Sequence, residues 1–372
     1  MKSKRIGFDA RLVSETGVGR YIKNLLHHLS VLDKKNIYYI FLNSSDMAKI
    51  GFRNPNFHKI AFDVKWHSLK EQLIFPLILI KYRLDIVHFP YFNIPILYPF
   101  RYLVTFHDLI IDHFPSGRAS TMPYLFYSAK KFFYKIIVRI ALQKAVRILA
   151  ISRTTKNELI DHYRISPEKI AVTYDALDSD FEKLSLNFRP EKTFNFDYIL
   201  YVGNAYPHKN LEKLVYLWQD PQISSRVKLV LAGSDWFFYP RLSRIVDSLN
   251  LKNKVYFFGS ASDKQLINLY SGARALIIPS KMEGFGLPNL EAVSLNLFPL
   301  VSDIPSFKEI WGNTLWYFNP DSLKQMKKVI LDFLRLPDKR VKKMLKAARA
   351  RTDKFSWHKT ARITLLQYRL LK

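Results

Sequence analysis

Two glutamates, Glu283 and Glu291, bracket a glycine-rich turn in PSKMEGFGLPNLEAV, residues 279–293. Upstream, ALIIPS has the continuous apolar character of a strand, and Pro288 suits the first turn of a helix running through PNLEAVSLNL. Gly284 and Gly286 then fall in a strand-to-helix turn, where bare backbone can approach a ligand and present N–H groups. The partial positive charge of a helix N-terminus makes that turn a natural phosphate site. The two carboxylates flank it, Glu283 on the loop and Glu291 inside the helix. Carboxylates repel phosphate, so their partners should be neutral donors such as sugar hydroxyls. A ligand with hydroxyls on both sides of a diphosphate is a nucleotide sugar.

Such a turn needs a strand and a helix to hold it, and the chain alternates the two throughout. RIGFDA, IYYIFLN, DIVHFP, YLVTFHD and VRILAIS read as strands of a first half; YILYVG, VKLVLAG, KVYFFG, ALIIPS and PLVSD read as strands of a second. Between them lie helical stretches such as GRYIKNLLHHLS, SRTTKNELIDHY, KNLEKLVYLWQ and SDKQLINLYSGA, with Ser152 and Ser262 as capping residues. Strands that are continuously apolar are buried on both faces, which means parallel sheets covered by helices. The expectation is therefore α/β, with two doubly wound Rossmann-like domains. The polar segment LSLNFRPEKTFNFD, 184–197, is the boundary, giving domains 1–190 and 191–355. Ligands of such sheets bind beyond the carboxyl ends of the strands, so the site is expected in the cleft that the domains face.

The chain has 372 residues, enough for two domains, and no cysteine, which excludes a disulfide framework or a thiolate metal site. MKSKRIGFDARL lacks the apolar stretch of a secretory signal, and the run LIFPLILI at 73–80 is too short to span a membrane. The formal charge of +27 is shared by both halves. It is densest between Asp112 and Glu158, where nine basic residues occur without an acid. There Lys131, Lys135 and Arg139 form one helical stripe among Phe132, Phe133, Tyr134, Ile136 and Ile137. This reads equally as an element for an anionic membrane surface and as a core helix with a solvated basic edge. No motif of a nucleic-acid-binding module is present.

Taken together, these motifs resemble the retaining glycosyltransferases of the GT-B fold, specifically the family 4 group, over nearly the whole chain. E-GFGLPNLE is similar to the family's paired-glutamate signature, which implies that Glu291 holds the nucleotide ribose and Glu283 faces the donor sugar. YVGNAYPHKNLEKL, 201–214, resembles the strand–loop–helix that carries the basic group for the donor diphosphate. That role falls to Lys209, an ammonium able to neutralise charge on the leaving group without a metal. Asn204 follows Gly203 where some relatives have an arginine. DARLVSETGVGRYIKNLLHHL resembles the N-terminal glycine loop, so that Gly17 and Gly19 admit the diphosphate or acceptor. YLVTFHDLI places His107 like the family's histidine near the donor sugar. Backbone of Gly203, Asn204, Gly284, Phe285, Gly286 and Leu287 completes the implied donor site. PLVSDIPSFKEIWG also follows the family, with Asn296 standing where a helix-ending glycine is common. FSWHKTARITLLQYRLL resembles the closing helix that crosses back to the first domain, which the implied division sets at 356–372.

The resemblance implies transfer of a hexose from a nucleotide diphosphate sugar to a hydroxyl with retained configuration, requiring no metal or other cofactor. Likeness to bacterial O-antigen mannosyltransferases favours GDP-mannose over a UDP-sugar. It also implies a glycan or lipid-linked acceptor in lipopolysaccharide biosynthesis. The expected location is cytoplasmic, peripheral on the inner face of the cytoplasmic membrane. Two other classes compete: a nucleotide-sugar epimerase or hydrolase on the same fold, and a non-catalytic basic scaffold. Glycosidase chemistry also pairs two carboxylates, but a glycine-rich helix start and Lys209 point to a phosphate leaving group.

Overall fold

The computed structural model describes residues 3–114 and 124–370, the side chains of 124–131 excepted. They divide into two compact units. Unit 1 runs to Leu109, resumes up to Asp175 and ends with the segment from Ser356; unit 2 holds Ala176–Phe355 and the short helix Ile110–His113. Segment 184–197 thus lies within unit 2. Helix Ser179–Asn187 belongs there because Phe181 meets the ring of Tyr270 edge-on at 6.4 Å.

Among the described residues, unit 1 is built on seven strands: β1 (Arg5–Asp9), β2 (Ile37–Leu42), β3 (Phe57–Ala61), β4 (Ile86–Phe89), β5 (Tyr102–Phe106), β6 (Arg147–Ala150) and β7 (Ile170–Val172). Their order is β3-β2-β1-β4-β5-β6-β7, and every pairing is parallel. Unit 2 repeats the plan with β8 (Tyr198–Val202), β9 (Lys228–Ala232), β10 (Val255–Gly259), β11 (Ala275–Ile278), β12 (Pro299–Ser302) and β13 (Trp316–Phe318). Their order is β10-β9-β8-β11-β12-β13, again all parallel. Strands β4, β5, β11 and β12 are buried at every residue, as helices on both faces require. Each sheet reverses its winding once, between β1 and β4 and between β8 and β11. The loops leaving those strands therefore open a crevice.

Local chemistry sets the helix ends. Ser152 Oγ accepts from Thr155 N, and Ser262 with Gln265 closes a reciprocal capping box. Asn296 ends its helix at φ 61°, supplying without glycine the left-handed turn that this position needs.

The closing helix Trp357–Leu370 packs on helix Gly17–Leu32 within unit 1, with the rings of Trp357 and Tyr21 5.8 Å apart. A buried polar chain locks it there. His88 Nδ1 meets the Tyr368 hydroxyl at 2.6 Å, and its Nε2 meets Thr105 Oγ1 at 2.8 Å. Thr105 Oγ1 in turn meets the Tyr21 hydroxyl at 3.1 Å. Burial pushes the His88 pKa down to about 3, so the imidazole is neutral and hydroxyls serve both nitrogens.

Candidate active site

In unit 2 the crevice lies between the loop after β8, 203–210, and the loop after β11, 279–286. Gly203 has φ +146°, and its carbonyl accepts from the Tyr239 hydroxyl at 2.8 Å. The Asn204 carbonyl accepts from the Tyr201 hydroxyl at 2.7 Å. Asp235 on the neighbouring loop accepts backbone N–H bonds from Ala205 (3.1 Å), Phe237 (3.0 Å), Phe238 and Tyr239 (3.2 Å). The β11 loop is then stitched to the β8 loop. Lys281 N donates to the His208 carbonyl at 2.7 Å, and Asn210 Nδ2 donates to the Pro279 carbonyl at 3.2 Å.

This stitching brings Lys209 and Glu283 together. Lys209 Nζ lies 2.7 Å from Glu283 Oε1, which also accepts from Ser280 Oγ at 2.7 Å. The two side chains are 17% and 12% exposed, so each charge is screened by its partner more than by water. Burial alone would raise the Glu283 pKa, but the Lys209 ammonium, with the hydrogen bond from Ser280, outweighs it and holds the carboxylate below its ordinary value. His208 stays neutral: burial, reinforced by Lys209, lowers its pKa to about 4.

Glu291 is buried in helix Leu287–Ser294, where the Tyr270 hydroxyl donates to Oε2 at 2.7 Å and orients it. Gly286 begins that helix at φ +87°, and a Cβ there would lie 2.5 Å from the ring of Phe307. Only glycine fits, on conformation and on space alike. Gly284 is buried beside it. Phe285 turns into the core, 3% exposed against the Phe355 ring, so its backbone alone faces the turn. Leu287 supplies the first helical N–H. Asn289 follows, fully buried, with neither side-chain polar atom bonded among the described residues.

His107, Gly17 and Gly19 belong to unit 1. His107 follows β5, and burial lowers its pKa to about 4. Its Nε2 lies 2.8 Å from the Pro90 carbonyl and must donate, which leaves Nδ1 as an acceptor. Gly17 and Gly19 form the first turn of helix Gly17–Leu32 instead of the loop before it. A Cβ on Gly19 would strike the Val13 carbonyl at 2.5 Å, whereas one on Gly17 would meet nothing within 4 Å. Gly19 is needed for its own turn, and Gly17 has no such internal reason. On the basic helix Tyr124–Lys144, Phe132, Phe133, Lys135 and Arg139 are exposed, and the Lys131 side chain lies outside the described residues.

Sequence reasoning passes over Ser280, His208, Tyr270 and Asp235, each an ordinary residue until the fold sets it beside a candidate. It also passes over a buried ion network at the end of β1. Arg11 Nη2 reaches Asp9 Oδ2 at 2.7 Å and Glu71 Oε1 at 2.6 Å, with its guanidinium 4.3 Å from the centre of the Phe75 ring.

Comparison with known proteins bears on this geometry. The family profile "Glycosyltransferase Family 4" matches residues 16–181, and "Glycosyl transferases group 1" matches residues 186–351. The chain is 32% identical over 239 residues to the O-antigen chain mannosyltransferase RfbU of Salmonella typhimurium, covering 63% of this chain and 61% of that relative. It is 26% identical to O-antigen chain mannosyltransferase B of Escherichia coli, covering 96% of each. The structure of Anabaena HepE in complex with UDP and glucose superposes with a TM-score of 0.72 at 15% identity, over 98% of this chain and 99% of that one. The fold is thus GT-B.

Proposed function

The chain belongs to the family 4 glycosyltransferases, and on that premise we propose that it transfers mannose from GDP-mannose to a hydroxyl of a glycan or lipid-linked glycan, with retention of configuration. The observation that carries this reading is the ion pair of Lys209 and Glu283 at the winding reversal of unit 2. An ammonium held there meets a diphosphate, and the carboxylate keeps it in place while the site is empty.

In this reading Lys209 Nζ stabilises the charge that collects on the departing nucleoside diphosphate, without metal assistance. The N–H groups from Gly284 to Leu287 hold the same phosphates at the helix start. Glu283 Oε1 remains with Lys209, and Oε2 accepts a hydroxyl of the hexose. Glu291, aimed by Tyr270, accepts the ribose hydroxyls. Neutral His107 accepts a sugar hydroxyl at Nδ1; it does not deprotonate water. The bond from the anomeric carbon to phosphate oxygen breaks as the bond to the acceptor oxygen forms on the same face. The acceptor's proton passes to the departing phosphate. The protein contributes positioning and a fixed electrostatic field.

The relatives' names support mannose and the O-antigen setting, and that setting suits work at the cytoplasmic face of an anionic membrane. Product analysis tests the reaction. Incubation with GDP-mannose and a lipid-linked saccharide should lengthen the acceptor by one α-linked mannose. Release of free sugar alone, or preferential use of UDP-glucose, would overturn the assignment.

A further inference from the structure

Helix Leu69–Lys81 turns its apolar side outward. Leu69, Leu73 and Leu77, each four residues apart, are 84%, 60% and 66% exposed, and Ile74 and Ile80 are 40% and 39% exposed on the same arc. Its other side is buried through Glu71, Phe75 and Leu79. The exposed stripe contains half of LIFPLILI, which is too short to span a bilayer, and no helix among the described residues is long and apolar enough to cross one. The neighbouring loop extends the stripe. Ile96 N donates to Gln72 Oε1 at 2.9 Å, Gln72 Nε2 donates to the Ile94 carbonyl at 3.1 Å, and Leu97 stands 60% exposed beside them.

The charge around this face is predominantly positive. Lys65, Lys70, Lys81, Arg83 and Arg101 are exposed at the helix ends and at the loop. The acids of the same stretch are engaged elsewhere: Glu71 with Arg11, Asp63 with Ser44, and Asp85 with the backbone N–H of Arg5. Lysines at both ends of an apolar helix can lay their methylenes along it and lift their ammonium groups to the level of phosphate headgroups.

We infer that helix Leu69–Lys81 docks unit 1 on an anionic lipid bilayer, lying in the interface with its leucines among the acyl chains. A patch of five exposed Leu and Ile side chains with a basic border matches that partner in both polarity and charge. The helix is held rigidly for this use. Arg11 binds Glu71 from below, and Asn93 Nδ2 donates to Glu71 Oε2 at 2.9 Å. Phe92, next to Asn93, meets Tyr134 edge-on at 5.0 Å. The same loop thus links the docking helix to the basic helix that carries Phe132 and Phe133. The inference deepens the membrane setting of the proposed function and names the element that reaches the lipid.

Flotation of the full chain with vesicles tests it. Phosphatidylcholine vesicles containing phosphatidylglycerol should capture the wild type at low salt, and the double variant Leu73→Gln, Leu77→Gln should bind about tenfold more weakly or less. Both substitutions are at exposed positions, so calorimetric binding of GDP-mannose should be unchanged. Absence of wild-type capture, or equal capture of the double variant, would overturn the inference. So would a lipid-free wild-type dimer that the substitutions convert to monomer, because the face would then cover a second copy. Failure of wild type to bind any nucleotide sugar, with vesicle capture intact, would instead count against the proposed reaction and leave the docking face standing.

Discussion

Lys209 Nζ and Glu283 Oε1 lie 2.7 Å apart although 74 positions separate them in the sequence. They meet because β8 and β11 are neighbours in the sheet. The Lys281–His208 backbone bond then draws the following loops together. A cation and an anion are thereby held side by side where the proposed function puts the donor diphosphate.

Replacing Lys209 with Ala should lower kcat by ~10²- to 10³-fold, the usual range for loss of one preorganised donor. It also leaves Glu283 without its counter-charge, which should cost about 1–3 kcal/mol of stability after allowance for partial exposure. The Lys209→Ala, Glu283→Gln double variant should recover part of that stability and none of the rate. Chemical denaturation and steady-state kinetics on wild type and the two variants check this. Unchanged turnover in Lys209→Ala would remove lysine from the mechanism.

Gly286 and Gly17 make a paired test. Gly286→Ala forces a Cβ to within 2.5 Å of Phe307 at φ +87°, and should lower stability by about 1–3 kcal/mol. Gly17→Ala meets nothing within 4 Å and should leave thermal stability unchanged. A selective rise in KM for Gly17→Ala would show that the open space there serves a ligand. Wild-type kinetics would reduce Gly17 to a turn residue.

Tyr368→Phe removes one hydroxyl partner of fully buried His88 and should destabilise the fold by about 1–3 kcal/mol. Hydrogen exchange should show helix Trp357–Leu370 loosening first, since Tyr368 is its link to β4. Uniform protection across that helix would contradict this.

Acid should weaken the fold. Burial holds His88, His107 and His208 neutral, with pKa values lowered to about 3, about 4 and about 4. In the unfolded chain they titrate near ~6.5, so below that pH the unfolded state binds more protons. Their stabilisation is complete above ~6.5 and is lost as pH falls toward the folded values. Asp175, raised by burial to about 8, acts in the opposite direction because it is neutral when folded and ionised when unfolded. Three imidazoles against one carboxyl leave uptake of about two protons on unfolding near pH 5, a slope of up to ~3 kcal/mol per pH unit. Urea midpoints measured from pH 7 to pH 5 should fall. A flat profile would mean that water reaches these imidazoles.

The parts of this architecture that can be read from sequence are those with one physical cause. Central strands such as ALII and YLVTF are continuously apolar because both faces are covered. The strand reading misses β3, β7 and β13, all at sheet edges, where FHKIA mixes polar residues and IAV and WYF are only three residues long. The glycine turn and its two glutamates were legible from spacing, and Lys209 from its motif. The contact between Lys209 and Glu283 was not, because it depends on which strands become neighbours. Tyr270 aims Glu291 from another helix, and Arg11 finds Glu71 across unit 1; neither pairing leaves a local signature. LIFPLILI was legible as an apolar run too short for a span, but only the fold shows that its leucines face outward.

Calorimetric titration of GDP, GDP-mannose, UDP, UDP-glucose and UDP-N-acetylglucosamine into wild type and Glu291→Ala tests the central claim most directly. Selective binding of GDP-mannose is expected, with affinity falling about 10- to 100-fold on loss of the carboxylate proposed to hold the ribose. Binding that the substitution leaves untouched, or no binding by any of the five, would contradict a nucleotide-sugar site at Glu291.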